Sequence, residues 1–245
     1  MKVPKFFVAS CTTLALCLAI AHRSVAEDET ASDDDAASSA DGPKKMELVK
    51  LDAKAPLWVD KTNKRVVMIG KVCLREGQLE MFACPEGTKE HESVLSVPVL
   101  AERVHTALIL LGADPGKPVQ FTPEYRPASG PVIDVALYWT DESGKRCSAW
   151  AQDWVQDART GKALSEPWVF GGSMFYVDEK TGKRDYLANH GELICVSNFS
   201  SAMLDLPVES SDKAGQLLFN AYTDHIPPAN TKVTIVLRPR ADKAH

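Results

Sequence analysis

The sequence has no excess of positive charge, no apolar run long enough to cross a bilayer, no Gly-x-Ser-x-Gly motif and no tightly spaced pair of metal ligands. Each absence removes a class of function. A formal net charge of -5 denies the basic footprint that phosphate backbones require, so nucleic acid is not an expected partner. The longest apolar stretch, Phe6 to Ala21, is interrupted by Thr12 and Thr13 and falls short of the roughly 20 residues that span a hydrocarbon core. Without the nucleophile elbow no serine has a recognisable hydrolase context. No repeat recurs at a fixed period, so a repeat architecture is not expected.

What is present begins with an export signal. Lys2 and Lys5 precede the apolar run, and Ser24-Val25-Ala26 puts small residues ahead of Glu27. This pattern predicts a secretory signal peptide over residues 1–26, cleaved after Ala26. A lipobox reading of Val8-Ala9-Ser10-Cys11 leaves only Phe6 to Ser10 as hydrophobic core, and the signal-peptide reading is preferred. Residues 27–45 carry seven acids, Lys44, Lys45 and no large apolar side chain. Such a segment cannot offset the entropy of ordering it and is expected to be a flexible acidic linker. The protein is therefore expected in the periplasm or outside the cell, with no transmembrane segment once the signal is gone.

Residues 46–245 form one expected domain, large enough to bury a sizeable core. Strand signals dominate: Leu57 to Val59, Arg65 to Leu74, Gln78 to Cys84, Val132 to Thr140, Cys147 to Val155, Trp168 to Phe175, Glu192 to Ser197 and Lys232 to Leu237 are rich in β-branched and aromatic residues. Glu76-Gly77 and Asp141-Glu142-Ser143-Gly144 read as hairpin turns. Leu100, Val104, Ala107, Leu108 and Leu111 recur at helical spacing before Gly112, which predicts a helix over 98–111 with a left-handed stop. A second helix is expected over 212–222 on the stripe Ala214, Leu217, Leu218 and Ala221. Runs of strands with one or two covering helices predict an α+β fold built on a largely antiparallel sheet.

Signal cleavage would leave Cys73, Cys84, Cys147 and Cys195 in an oxidising compartment, where three pairings are open. A two-residue turn at Glu76-Gly77 sets Cys73 opposite Glu80 and Cys84 opposite Ile69. The two cysteines then lie four residues apart along the strand, about 13 Å, against a disulfide limit of roughly 7 Å. That register disfavours a bridge between them, and four buried thiols are as well supported as one disulfide.

The densest titratable cluster is Lys89-Glu90-His91-Glu92, downstream of Cys84. Cys84 as nucleophile, His91 as its base and Glu90 or Glu92 as orienting group are the catalytic candidates. Cys84, His91 and Cys195 are the metal candidates, for zinc or copper, with His105, His190 and His225 as more distant donors. His105 is expected on the exposed side of the helix. Lys89, Glu90, Ser197, Asn198, Ser200 and Ser201 are the ligand-binding candidates. Asp205 is expected to take a hydrogen bond from Ser200 or Ser201. Of Trp139, Trp150, Trp154 and Trp168, most are expected in the core. Any that reach the surface beside Arg146 and Asp153 would suit sugar rings or peptides.

The segments Cys73-Leu-Arg-Glu-Gly77, Lys89-Glu-His-Glu-Ser93, Leu108 to Gly116 and the ending from Thr231 to Pro239 come in an order that resembles secreted YdjY-domain proteins of planctomycete-type bacteria. The resemblance spans most of residues 57–239. It implies an exported single-domain protein and assigns no catalytic role to any residue. The expectation is a module binding an unknown ligand or envelope protein; the alternatives are a metal- or thiol-dependent enzyme centred on Cys84 and His91, and a structural envelope component.

Overall fold

Side-chain alternation is strictest in the three longest strands, and they set the core. The computed structural model describes residues 48–210 and 218–241; the expected signal peptide and linker lie outside them. In chain order the strands are β1 (Leu48–Lys50), β2 (Leu57–Asp60), β3 (Arg65–Val72), β4 (Met81–Pro85), β5 (Ser93–Val97), β6 (Val132–Thr140), β7 (Arg146–Trp150), β8 (Val155–Asp157), β9 (Trp168–Phe170), β10 (Phe175–Val177), β11 (Arg184–Tyr186), β12 (Ile194–Cys195), β13 (Leu204–Asp205), β14 (Phe219–Ala221) and β15 (Lys232–Pro239), with α1 (Ala101–Leu110) between β5 and β6. Met68, Ile235 and Leu137 stand side by side on β3, β15 and β6, as do Val66, Leu237 and Val135. All six are buried, each stabilising the fold by roughly 1.5–3 kcal/mol relative to exposure.

Eight strands close into a ring. The order β3-β15-β6-β9-β13-β12-β4-β5 returns to β3 through Lys71↔Ser96 and Val72↔Leu95. The neighbours run antiparallel except for the parallel pairs β4–β5 and β12–β13. β2 extends the sheet from the first half of β3, and β7 from the second half of β6. The expected α+β fold is therefore overturned: the sheet closes on itself as a β-barrel, and among the described residues the single short α-helix, α1, packs beside it and forms no covering layer.

The correction has a local cause. Glu76-Gly77 does not join a hairpin, because β5, a strand the sequence reading passed over, takes the edge of β3 where β4 was expected. The Cys73–Cys84 register argument falls with that hairpin, and all four cysteines are free thiols. The turn Asp141 to Gly144 does join β6 to β7, with Gly144 at φ +84.

The expected helix over 98–111 forms as α1, whose Ala101, Val104, Ala107 and Leu108 are buried. It packs against β2, β3 and the 3-10 turn Leu187–His190. Asn189 on that turn caps it, its Oδ1 accepting from the Glu102 N–H at 3.1 Å, a service no residue before the helix supplies. Gly112 ends it at φ +83. The second helix does not form where it can be judged: Phe219–Ala221 is β14, paired with β8, while residues 211–217 lie outside the described residues. In β14 the buried Phe219 and Ala221 flank the less buried Asn220, the alternation of a strand and not of a helix.

The barrel seam depends on Gly70. A Cβ there would sit 2.6 Å from the Ser96 carbonyl oxygen and 2.7 Å from Val97 Cγ1. Gly70→Val is expected to destabilise the protein by roughly 3 kcal/mol, the upper range for overpacking. A urea titration measures this, and a neutral result would mean the β3–β5 closure does not need the close approach.

Candidate functional site

The segment after β4 turns back at Gly87 (φ +83) and enters a 3-10 turn over Glu90–Glu92. This turn carries Lys89 and Glu92 onto the outside of the β4–β12 wall. Glu80 is fixed between two segments there. Its N–H donates to the Glu92 carbonyl, and its own carbonyl accepts from Val196 and Ser197 N–H groups at 2.9 and 3.0 Å.

Three carboxylates surround one ammonium. Lys89 Nζ lies 3.3 Å from Glu92 Oε1, 3.3 Å from Glu192 Oε1 and 3.7 Å from Glu80 Oε2, and 4.9 Å from the centroid of Phe199. The Lys89 stem runs over Gly191, where a Cβ would stand 2.5 Å from Lys89 Cδ. All four charged groups are largely withdrawn from water. Burial opposes the Lys89 charge, but Glu192, Glu92 and Glu80 outweigh it and raise its pKa. Burial and the Glu92 carboxylate raise the pKa of Glu80. The cage holds two surplus negative charges.

Beside it lies a buried polar hub centred on Asn198. Asn198 Nδ2 donates to Asp205 Oδ1 at 3.1 Å and to the Leu206 carbonyl at 3.3 Å. Asn198 Oδ1 accepts from Tyr125 OH at 3.2 Å and the Ser210 N–H at 2.7 Å. Asp205 Oδ2 and Ser197 Oγ are buried without a partner, and burial pushes the Asp205 pKa up to about 7. Cys195 connects the two groups: burial first, then Asp205 and Glu192, hold its thiol pKa well above the usual range.

The expected site residues divide accordingly. Lys89 and Glu92 enter the cage, and Asn198 centres the hub; the two candidate segments meet where Lys89 covers Phe199. Glu90 turns away to accept from the Gly87 N–H. Ser200 donates to the Val119 carbonyl at 3.1 Å and the Ser201 carbonyl accepts from Ser173 Oγ, so neither serine reaches Asp205 and Asn198 does so instead. Glu80, Glu192, Phe199 and Tyr125 escaped the sequence reading, whereas Asp205 was expected as an acceptor with the wrong donor. They are scattered over more than a hundred residues, and the β4–β12 and β12–β13 pairings bring the segments of Glu80, Glu192 and Asp205 side by side.

The Cys84–His91 dyad does not assemble. The Cys84 thiol is buried, its pKa raised by desolvation, with Ser93, Thr88 and the Lys89 backbone as hydrogen-bonding neighbours. His91 is 76% exposed, its Nε2 3.8 Å from Glu92 Oε2. A buried thiol held protonated is the reverse of an activated nucleophile. Among the described residues no group of three or more histidine, cysteine, aspartate and glutamate side chains is arranged to hold a metal ion, and Cys84, His91 and Cys195 do not converge. His190 pairs with Asp185 at 2.6 Å and His225 Nδ1 contacts the Asp153 carbonyl at 2.6 Å. His105, expected in solvent, is half-buried with Nδ1 2.8 Å from Tyr186 OH, and burial lowers its pKa.

Among the described residues no helix is long and apolar enough to cross a membrane. No curated protein and no solved structure matches the chain. The family model of the YdjY domain matches residues 57–238, a span that runs from β2 to β15 and holds the whole barrel, the cage and the hub; the chain belongs to the YdjY-domain family.

Proposed function

We propose that this protein is an exported binding module that takes an organic cation, such as the basic side chain of a partner protein, at the Glu80–Glu92–Glu192 cage. The carrying observation is the charge imbalance: three half-buried carboxylates share a single ammonium. Desolvating carboxylates costs several kcal/mol each, and one cation does not offset three. A second cation arriving beside Phe199 would gain both the surplus charge and an aromatic face. Export is supported by the lysine-flanked apolar run and the Ser24-Val25-Ala26 cleavage pattern, and places the module in the periplasm or outside the cell.

Calorimetric titration with a peptide of alternating lysine and glycine tests the reading. Binding is expected at low salt and to weaken as salt rises. Glu192→Gln is expected to lower the affinity roughly tenfold, about 1.4 kcal/mol. Affinity should rise with pH as Glu80, whose pKa is raised by burial, becomes ionised. Absence of binding, equal binding by the variant, or preference for calcium over the peptide would each overturn the proposal.

A further inference from the structure

We infer that the outer face of the β6–β7 ribbon is a second binding site, for an oligosaccharide chain. Tyr138 faces Ser148 and Ala136 faces Trp150 across this ribbon. Tyr138 and Trp150 are therefore diagonal neighbours on one face, roughly 7–8 Å apart. They are 49% and 53% exposed, although large aromatic side chains gain more from burial than almost any other residue. Trp154 and Trp168 are fully buried, and Trp139 packs inward against Trp154 with ring centroids 5.2 Å apart. Of these four tryptophans Trp150 alone is left as an open platform, and the fifth, Trp58, is partly covered by Lys50.

Each exposed ring borders its own depression. The one at Trp150 measures about 360 Å³ and is lined by Asp134, Gln152, Asp153, Ser165 and Arg240. The one at Tyr138 measures about 720 Å³ and includes Trp139, Thr140, Ser143, Thr231 and Thr234. An aromatic face beside planar carboxylate, amide and guanidinium groups matches a sugar ring, which offers C–H faces to the aromatic and paired hydroxyls to the planar groups. Both depressions fall within the size range of ligand sites.

Charge argues against a polyanion. Arg240 is already paired with Asp134 at 2.5 Å, and Lys232 and Arg146 stand among Asp141, Glu142 and Asp153, so the face carries no surplus of positive charge and suits a neutral chain. The platform is also preset: β6 is hydrogen-bonded to β15 along one edge and to β7 and β9 along the other, so the backbone that carries the two rings needs no ordering on binding. In the barrel ring β6 and β4 are four strands apart in either direction. The sugar face and the cation cage therefore lie on opposite walls, an arrangement suited to bridging a glycan and a protein.

Native gels cast with dextran, xylan, laminarin or mannan test this. Retarded migration is expected in at least one gel, abolished in Trp150→Ala and weakened roughly tenfold in affinity in Tyr138→Ala. Both side chains are exposed, so circular dichroism and the thermal transition should match the parent. Lys89→Met should retain retardation, which separates this site from the cage. No retardation in any of the four gels, retardation that survives Trp150→Ala, or binding of an oligonucleotide that competes at Trp150 would overturn the inference.

Discussion

Asp205→Asn is expected to stabilise the protein by about 4 kcal/mol at pH 8 and to leave it nearly unchanged below pH 4. The carboxyl is buried, one oxygen has no partner, and its pKa is pushed from 3.8 to about 7. Below pH 4 both folded and unfolded chains hold the proton and no penalty exists. As pH rises, the unfolded chain ionises first, and folded stability declines until the folded carboxyl ionises near pH 7. At about 1.4 kcal/mol per pH unit the accumulated cost is about 4 kcal/mol. Asparagine keeps the oxygen that accepts from Asn198 Nδ2 and the Leu206 N–H and cannot ionise. The unpartnered Oδ2 is replaced by an equally unpartnered amide nitrogen, so that deficit cancels. Urea titrations of both proteins at pH 4 and pH 8 measure the difference. A variant no more stable than the parent at pH 8 would show that Asp205 is not held protonated by burial.

The hub explains why such a residue is tolerated. Asn198 ties the Tyr125 loop, Ser210 and Asp205 into one set of hydrogen bonds, and the partly buried Tyr125 hydroxyl has its own pKa pushed up to about 12 by desolvation and then by Asp205 and Glu209. Ionising Asp205 adds negative charge beneath both. A polar group kept at such a cost in a barrel wall is held by its role in the hub, since an apolar residue at that place would stabilise the wall more.

Legibility followed sequence distance. The β6–β7 hairpin, α1 and its glycine stop were readable because their signals lie within about a dozen residues of one another. The barrel was not, because closure rests on β5, whose five residues are all buried and so show no alternation to mark them as a strand. One missed strand turned a closed barrel into an open sheet and displaced the Cys73–Cys84 register with it. The site shows the same limit. Lys89 and Glu92 stood out as a local charge cluster, whereas Glu80 and Glu192 are ordinary acids in the sequence and become partners only because β4 pairs with β12. His105 was misplaced because helical position alone gives the side facing solvent. Tyr186 and Phe170, which cover it, come from elements that the helix pattern does not contain.

Lys89→Met is expected to cost roughly 3 kcal/mol at pH 8, the scale for removing one partner of a buried ion pair. The ammonium is the one group paired with all three of Glu80, Glu92 and Glu192, the exposed His91 lying 3.8 Å from Glu92 alone, and methionine keeps the stem against Gly191 while deleting the charge. The three carboxylates then repel one another, and their pKa values rise in the folded chain alone. Stability is lost above the ordinary carboxylate range and returns as pH falls toward 4 and the folded chain takes up protons, the reverse of acid denaturation. Adding Glu192→Gln should restore part of the loss, with the two effects far from additive because the groups touch. The same substitution separates a structural cage from a binding site. A cage that serves only the fold loses stability and gains nothing. A cage that takes a cationic partner should bind the lysine–glycine peptide more tightly once its own lysine is gone, and Lys89→Met with lower stability but unchanged or weaker peptide binding would reduce the cage to a structural ion pair.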